Sequence, residues 1–488
     1  MKQRIRIYLL LVLAPIFLFC TVKTKALEKS NSSDLQVVKT NPPKDIRPNI
    51  IFYLADDQDQ LDYGCYGNPK VHTPAVDQLA KEGIRFTNAY VAQSICAPSR
   101  SQIYTGLYSM QNGCFANHLP VKPTVQSVTT YLKAAGYDVI LAGKGHVKPS
   151  NIFDWTHYFP SVKHRFLPLE EIDSYLKTTE KPFCMFVASD YPHGPYPKKT
   201  TYTNKDIYRL PYTAKTPPPF KKGYYQNIKN DNAQLEKVLE MVSTHGFEDT
   251  TLFVYASDHG ITGKWGVSEP GLRVPLVARW PGKIKANTTS NVMVSLIDIL
   301  PTFLEVVHAL PQKSLDGISF YNTLLGDEMP IHDYIYGIAT KQNIQKCAVF
   351  PSRMVRGKQF KYIRNYNAKE VLASNLGDNE AVNAFIKKGA NYYPKVPYEA
   401  LYDLLNDPYE KKNLAQKKNY QKDKRRLSKA LDAWMLTQND FLTQHNMPLL
   451  PPTLHPLDRV SKWNKIGGEL QGTLDKSNYI KVHYKSKR

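Results

Sequence analysis

The chain has 488 residues, enough for a large core or for about three domains at roughly 150 residues each. Hydrophobic residues make up 42% and charged residues 22%, which excludes a mainly disordered chain, a fibrous repeat and a small disulfide framework. Lys plus Arg is 64 against 43 Asp plus Glu, a formal charge of +21, and this admits nucleic acid, an anionic membrane surface or an acidic polymer as partner.

Residues 1–26 read as a signal peptide. Lys2, Arg4 and Arg6 precede an apolar run from Ile7 to Cys20, and Thr24-Lys25-Ala26 supplies small residues for cleavage. The run is too short for a stable membrane span. A periplasmic or secreted location is expected. A lipid anchor on Cys20 is the lesser reading, because Phe19 is not the small residue that signal requires. Residues 27–46 are polar and read as a tether. Without Cys20, five cysteines remain, namely Cys65, Cys96, Cys114, Cys184 and Cys347, so at least one is unpaired or modified. No Cys-x-x-Cys metal pattern occurs, and spacing leaves open whether Cys65 and Cys114 pair.

Residues 49–55 form an apolar run that predicts a buried strand ending at Asp56-Asp57. Helical spacing follows over 74–81 and 128–135, with strands over 137–141 and 183–188. Residues 194–228 are rich in Pro, Lys and Tyr with no clear period, which predicts a long excursion near a functional face. Its Tyr196, Tyr202, Tyr208 and Tyr212 suit packing against sugar rings or against the protein. A helical segment spans 238–242, and strands are expected over 251–256 and 274–278, the first ending at Ser257-Asp258-His259-Gly260. Strands alternating with helices predict an α/β fold with a large, mostly parallel sheet between helices. The larger unit is placed at 47–332. A smaller C-terminal α+β unit at 333–488 has paired strands around Gly357 and a basic amphipathic helix. That helix carries Leu427, Ala430, Leu431 and Trp434 at helical spacing. Its basic face reads as a solvated surface, and nucleic acid is not expected as a partner.

In a parallel sheet the strand C-termini share one edge, where ligands bind. Asp56, Asp57 and Asp258 can therefore converge, and three carboxylates in one place call for a cation. Oxygen-rich ligation suits Ca²⁺, with Mg²⁺ as the second choice. On spacing alone these acids also read as loop caps.

The segment Cys96-Ala97-Pro98-Ser99-Arg100, followed by Thr105-Gly106, carries more information. It resembles the signature of the formylglycine-dependent type I sulfatases, which share the alkaline-phosphatase-like fold. The resemblance extends over residues 47–440. It includes Pro74–Asn88, Gly143-Lys144-Gly145-His146, Pro192-His193-Gly194-Pro195, Ser257–Gly260, Lys264, Glu269–Pro275 and Leu401–Leu414. Residues 111–113 and 145–149 resemble the heparan N-sulfatase-like branch. Two departures are His259, where the family has Asn, and Pro270, where it has Gly.

The resemblance implies a sulfuric ester hydrolase in which a sulfatase-maturing enzyme converts Cys96 to Cα-formylglycine. A gem-diol and a covalent sulfo-enzyme then carry the reaction. It implies Asp56, Asp57, residue 96, Asp258 and His259 as metal ligands. Asp258 is the proton acceptor during attack. Arg100 and His146 hold the formylglycine oxygens, and His146 takes a proton as sulfate leaves. Lys144, His193 and Lys264 bind sulfate, and Lys264 or His193 protonates the leaving alkoxide. Arg353, Arg356 and Lys361 are expected at the substrate rim. The positive charge fits a sulfated polysaccharide or oligosaccharide. The alternatives are a phosphonate or phosphate monoester hydrolase of the same superfamily, an N-sulfoglucosamine sulfohydrolase, and an inactive sulfated-glycan-binding protein.

Overall fold

The computed structural model describes residues 47–163, 165–210, 218–310, 312–343, 348–366, 397–444, 446–448 and 479–481. The expected signal peptide over 1–26 and the expected tether over 27–46, with Cys20, Tyr212 and Cys347, lie outside the described residues, as does 367–396. In chain order the larger part runs β1 (Asn49–Asp56), α1 (Pro74–Glu82), β2 (Ile84–Tyr90), α2 (Cys96–Thr105), α3 (Ser109–Asn112), α4 (Val128–Ala134), β3 (Asp138–Gly143), β4 (His157–Pro160), α5 (Leu169–Thr178) and β5 (Phe183–Pro192). It continues with α6 (Lys221–Thr244), β6 (Thr251–Ser257), α7 (Glu269–Leu272), β7 (Arg273–Arg279), β8 (Thr288–Ser290), β9 (Val294–Ser295), α8 (Ile299–Val306) and α9 (Tyr321–Leu324).

Nine strands make one sheet in the order β4-β3-β5-β1-β6-β7-β2-β8, with β9 also on β2. The pairs from β4 to β6 are parallel, and β7 is antiparallel to both its neighbours. β1 is buried on both faces, which explains its unbroken apolar run. Ile50, Phe52 and Leu54 face a core shared with α2, α4 and α8. Ile51, Tyr53 and Ala55 face the opposite core, against α1, α5 and α6. Period-2 alternation thus sorts one strand between two helical layers.

The C-terminal sheet is antiparallel, in the order β10 (Ile335–Asn343), β11 (Ala348–Arg356), β12 (Phe360–Asn365) and β13 (Glu399–Asp403). Helix α10 (Gln421–Thr437) buries Leu427, Leu431, Trp434 and Met435 in the same core as Ile338, Met354 and Tyr362. Its dense Lys and Arg lie on the other face, as its period predicts.

The 194–228 segment is not irregular throughout. From Lys221 it is helix α6, with Tyr224, Tyr225, Ile228, Leu235 and Val238 buried. Interleaved Lys and Asn obscured that stripe in the sequence. Tyr196 stacks on Phe220 at 5.2 Å between ring centroids, so it packs on protein.

Helix α6 also buries Asp231 against the sheet. The Tyr53 hydroxyl donates to its Oδ1 at 2.8 Å and the Tyr255 hydroxyl to its Oδ2 at 3.4 Å. Burial pushes this carboxyl up to about 7, although bonds from Ser189, Tyr53 and Tyr255 pull it down. The folded state therefore holds a proton that the unfolded chain releases near its ordinary value of about 3.9. The stabilisation is complete below that value and is lost as pH rises through about 7. Asp231→Asn is expected to flatten the fall in stability between those limits, an effect of a few kcal/mol at about 1.4 kcal/mol per pKa unit. Urea midpoints at pH 5 and pH 8 check this, and parallel curves for variant and parent would refute it.

Candidate active site

Four parallel strands deliver chemistry to one edge. β1 and β6 pair Ala55 with Ser257, so Asp56-Asp57 and Asp258-His259 emerge side by side. β5 pairs Pro192 with Asp56 and hands over His193. β3 pairs Gly143 with Ala188 and hands over Lys144. Gly143 has φ +102, and a Cβ there would sit 2.1 Å from Ala188 O, so only glycine lets β3 turn so close to β5. Asp57 has φ +68, and its N–H donates to Asp258 Oδ1 at 3.1 Å, locking the two strand ends together.

Cys96 opens helix α2, and all ten residues of that helix are buried. Gly106 ends it in the left-handed conformation, donating to Gln102 O at 2.8 Å. Pro98 stands in the first turn, where its missing N–H costs nothing. One turn on, Arg100 is fully buried. Its Nε donates to Asp258 Oδ2 at 3.0 Å and its Nη2 lies 3.6 Å from Asp56 Oδ1. The Cys96 thiol is pushed above its ordinary range by burial, which outweighs the opposing pull of Lys264 and Lys144. A thiol so held is a poor nucleophile as it stands.

Lysines compensate the carboxylates. Lys264 Nζ donates to Asp57 at 2.7 and 2.9 Å and lies 3.7 Å from Cys96 Sγ. Lys144 Nζ donates to Asp56 Oδ2. Burial pushes the Asp56 carboxyl up, but Lys144, His193, Arg100 and Lys264 outweigh it and hold the group well below its usual value. Burial and the neighbouring Asp56 instead raise Asp258.

The donor set fits a cation. One ligand atom each from Asp57, Cys96 and His259 falls within 4.8 Å of the others, and so does the set Asp56, Cys96 and Asp258. Asp56 Oδ1 is buried with no hydrogen-bond donor. His259 Nδ1 lies 3.2 Å from Gly260 O, which only accepts, so Nδ1 carries a proton and a ring holding that one proton turns its Nε2 lone pair inward. That lone pair meets Asp57 Oδ1 at 3.1 Å and Cys96 Sγ at 3.3 Å. Converging lone pairs of this kind are stabilised by a positive ion.

The His193 loop is clamped from below. Asn227 Nδ2 donates to the carbonyls of Pro192, His193 and Pro195 at 3.1–3.3 Å, and Arg165 Nη2 donates to His193 O at 2.6 Å. His193 Nε2 then lies 3.6 Å from Asp57 Oδ2, on the more open side of the site, with its side chain 41% exposed. His146 follows Lys144 and meets His118, at 2.9 Å from its Nε2 to His118 Nδ1. His118 and its neighbour Asn117 carry no periodic or motif signal in the sequence.

The rim expectation is corrected. Arg353 is fully buried and donates through Nη2 to Asp440 Oδ1 at 3.0 Å. Arg356 lies 4.7 Å above the Tyr90 ring and 3.7 Å from Glu269. Lys361 sits buried between Glu269 at 3.1 Å and Glu410 at 2.8 Å. Buried carboxylates of the facing elements hold all three cations, so none reaches a substrate rim. Burial pushes Glu269 up, and Lys361, Arg356 and Arg273 outweigh it to bring the carboxyl to about 2. Cys65 and Cys114 are free thiols. Among the described residues, no helix is long and apolar enough to cross a membrane.

Residues 48–309 match the sulfatase family, and residues 257–384 match the family described as N-sulphoglucosamine sulphohydrolase, C-terminal. A Formosa agariphila protein named ulvan-active sulfatase is 46% identical over 475 residues, covering 94% of this chain and 95% of that one. The human N-sulphoglucosamine sulphohydrolase is 25% identical, covering 80% of this chain and 90% of its own. The solved phosphonate monoester hydrolase of Agrobacterium radiobacter superposes with a TM-score of 0.61 at 19% identity, covering 84% and 100%. At that identity the likeness is one of fold.

Proposed function

The chain belongs to the formylglycine-dependent sulfatase family, and we propose that it is exported and hydrolyses sulfate esters of ulvan or a closely similar sulfated polysaccharide. The observation that carries this reading is the 46% identity, over almost its whole length, to the ulvan-active sulfatase. The +21 charge supports it, because a basic protein steers an anionic polymer toward its cleft.

Oxidation of Cys96 by a sulfatase-maturing enzyme would supply, once hydrated, one oxygen to attack sulfur and a second to expel sulfate. Asp56, Asp57, Asp258, His259 and residue 96 would hold Ca²⁺, or Mg²⁺ as the second choice; when bound, the ion offsets the charge of the sulfate and acidifies the attacking hydroxyl. Asp258 accepts the proton of the attacking oxygen. Arg100 holds Asp258 and Asp56 in place for that task. Lys144 and Lys264 offer ammonium donors to the sulfate oxygens, and His193 stands where the alcohol departs.

Sulfate release from ulvan oligosaccharides, after mass analysis of the peptide containing residue 96, tests the reading. Release from ulvan, with a peptide about 18 Da lighter than the cysteine form, supports it (the mass difference is that of thiol-to-aldehyde oxidation). The match of residues 257–384 favours a second reading, cleavage of N-sulfoglucosamine. Release from N-sulfated and not O-sulfated sugars would select it, and hydrolysis of phosphonate esters with no sulfate release from any sulfated sugar would overturn both.

His259→Asn is expected to keep activity within about tenfold, since an amide oxygen also presents a lone pair to the ion. Kinetics with metal content measured in parallel check this. A loss beyond about a hundredfold at full metal content would assign His259 a role of its own.

A further inference from the structure

We propose that His118 is a positioning residue that, with Asn117, fixes His146 with its proton on Nδ1 and so makes His146 a hydrogen-bond donor to the oxygens on residue 96. That this bond forms to residue 96 rests on the sulfatase reading, whereas the tautomer rests on the contacts of Asn117 and His118. The chain of contacts starts from a donor whose direction is fixed. The Ala97 backbone N–H, beside residue 96, can only donate, and it lies 3.2 Å from Asn117 Oδ1. That orients the amide, so Asn117 Nδ2 faces His118 Nε2 at 3.2 Å. An amide nitrogen only donates, so Nε2 of His118 accepts. Neutral His118 then carries its proton on Nδ1 and donates to His146 Nε2 at 2.9 Å. Neutral His146 in turn carries its proton on Nδ1.

Burial, with Lys148, Lys144 and Lys264 nearby, pushes His118 down to about 4, so the single-proton argument holds at neutral pH. His146 Nδ1 is buried and has no hydrogen-bond partner. Lys144, Arg100 and Asp56 act electrostatically on His146 and also on Cys96. Both histidines have positive φ, 68° for His118 and 54° for His146, so the fold holds each imidazole at some conformational cost. Every donor in the chain points inward: Ala97 orients Asn117, and Asn117, His118 and His146 pass the direction on. In this tautomer His146 cannot take a proton from residue 96 through Nδ1. Through that nitrogen it acts as a fixed donor to residue 96.

The test is the histidine tautomer itself. Two-bond ¹H–¹⁵N spectra of ¹⁵N-histidine protein, with His146 assigned from its loss in His146→Gln, are expected to show protonated Nδ1 at His118 and at His146. A protonated Nε2 at His146 in the parent protein would overturn the proposal, whatever the substrate proves to be. Two variants add a functional readout. His118→Phe fills the same space but offers no donor, and is expected to lower kcat by roughly ten- to a hundredfold, less than the about 10²- to 10³-fold for deleting an oriented donor outright because His146 itself remains, with KM within a few-fold. His118→Gln can again donate to His146 Nε2 and is expected to restore most of that loss together with the Nδ1–H tautomer. Both variants carry the same backbone cost at positive φ, so it cancels between them. Equal kcat for the two would sink the idea. If His118→Phe fails to fold, the parent spectrum alone decides.

Discussion

Serine in place of Cys96 is expected to give a folded protein whose steady-state sulfate release falls by at least about a thousandfold. The position is buried at the start of α2, and serine is the smaller residue, so neither packing nor the helix start is disturbed. Its hydroxyl would lie among the groups now nearest the thiol, Lys264 Nζ at 3.7 Å and His259 Nε2 at 3.3 Å. A serine there can accept a sulfo group once. It carries no second oxygen with which to expel it. The expected record is therefore a burst of leaving alcohol no larger than one per protein, with no matching free sulfate and the sulfo group retained on the peptide at position 96. Undiminished multiple turnover by Cys96→Ser would remove the aldehyde from the mechanism.

That site was legible where the chemistry follows from chain topology. Asp56-Asp57 and Asp258-His259 end apolar runs that read best as buried strands, and parallel pairing of β1 with β6 brings such ends together. The Cys96–Arg100 motif sits where a helix start needs Pro98 and free N–H groups. What the sequence hid depends on partners chosen in three dimensions. Alternation over 353–366 shows that a residue faces one side of β11 or β12, not what covers that side. Asp440 covers the side that carries Arg353, whereas Glu269 and Glu410 cover the opposite side with Arg356 and Lys361, and all three cations are buried as a result. Glu410 also accepts from the Glu269 N–H at 2.8 Å, so the C-terminal part grips α7, a few residues beyond Lys264. Asp59 does similar work: it accepts from the Thr262 N–H at 2.9 Å and ties the two ligand-bearing loops together. His118 was invisible for the same reason, since it matters only because β3 brings His146 to meet it.

His193→Ala is expected to separate poor leaving groups from good ones. Two groups were open for protonating the departing alkoxide, Lys264 and His193. Lys264 is committed to Asp57 by two bonds and its side chain is only 15% exposed. His193 is the more open of the two, and a polysaccharide leaves toward solvent. Its Nδ1 lies 2.7 Å from Gly194 O, an acceptor, so Nδ1 keeps its proton and Nε2, which faces the site, is the nitrogen that gains and gives one. General acid catalysis of this kind contributes about 10²- to 10⁴-fold where the leaving group is a poor one. Sugar alkoxides need that proton, whereas a 4-nitrophenolate leaves without it. His193→Ala should therefore lose kcat on sulfated oligosaccharide by the full factor and on 4-nitrophenyl sulfate by only a few-fold. Equal losses on the two substrates would mean that His193 binds sulfate and that the proton comes from Lys264. Preserved kcat on both would take His193 out of the chemistry. The split is specific to an acid, because a residue that only positions sulfate touches the same three oxygens in either ester.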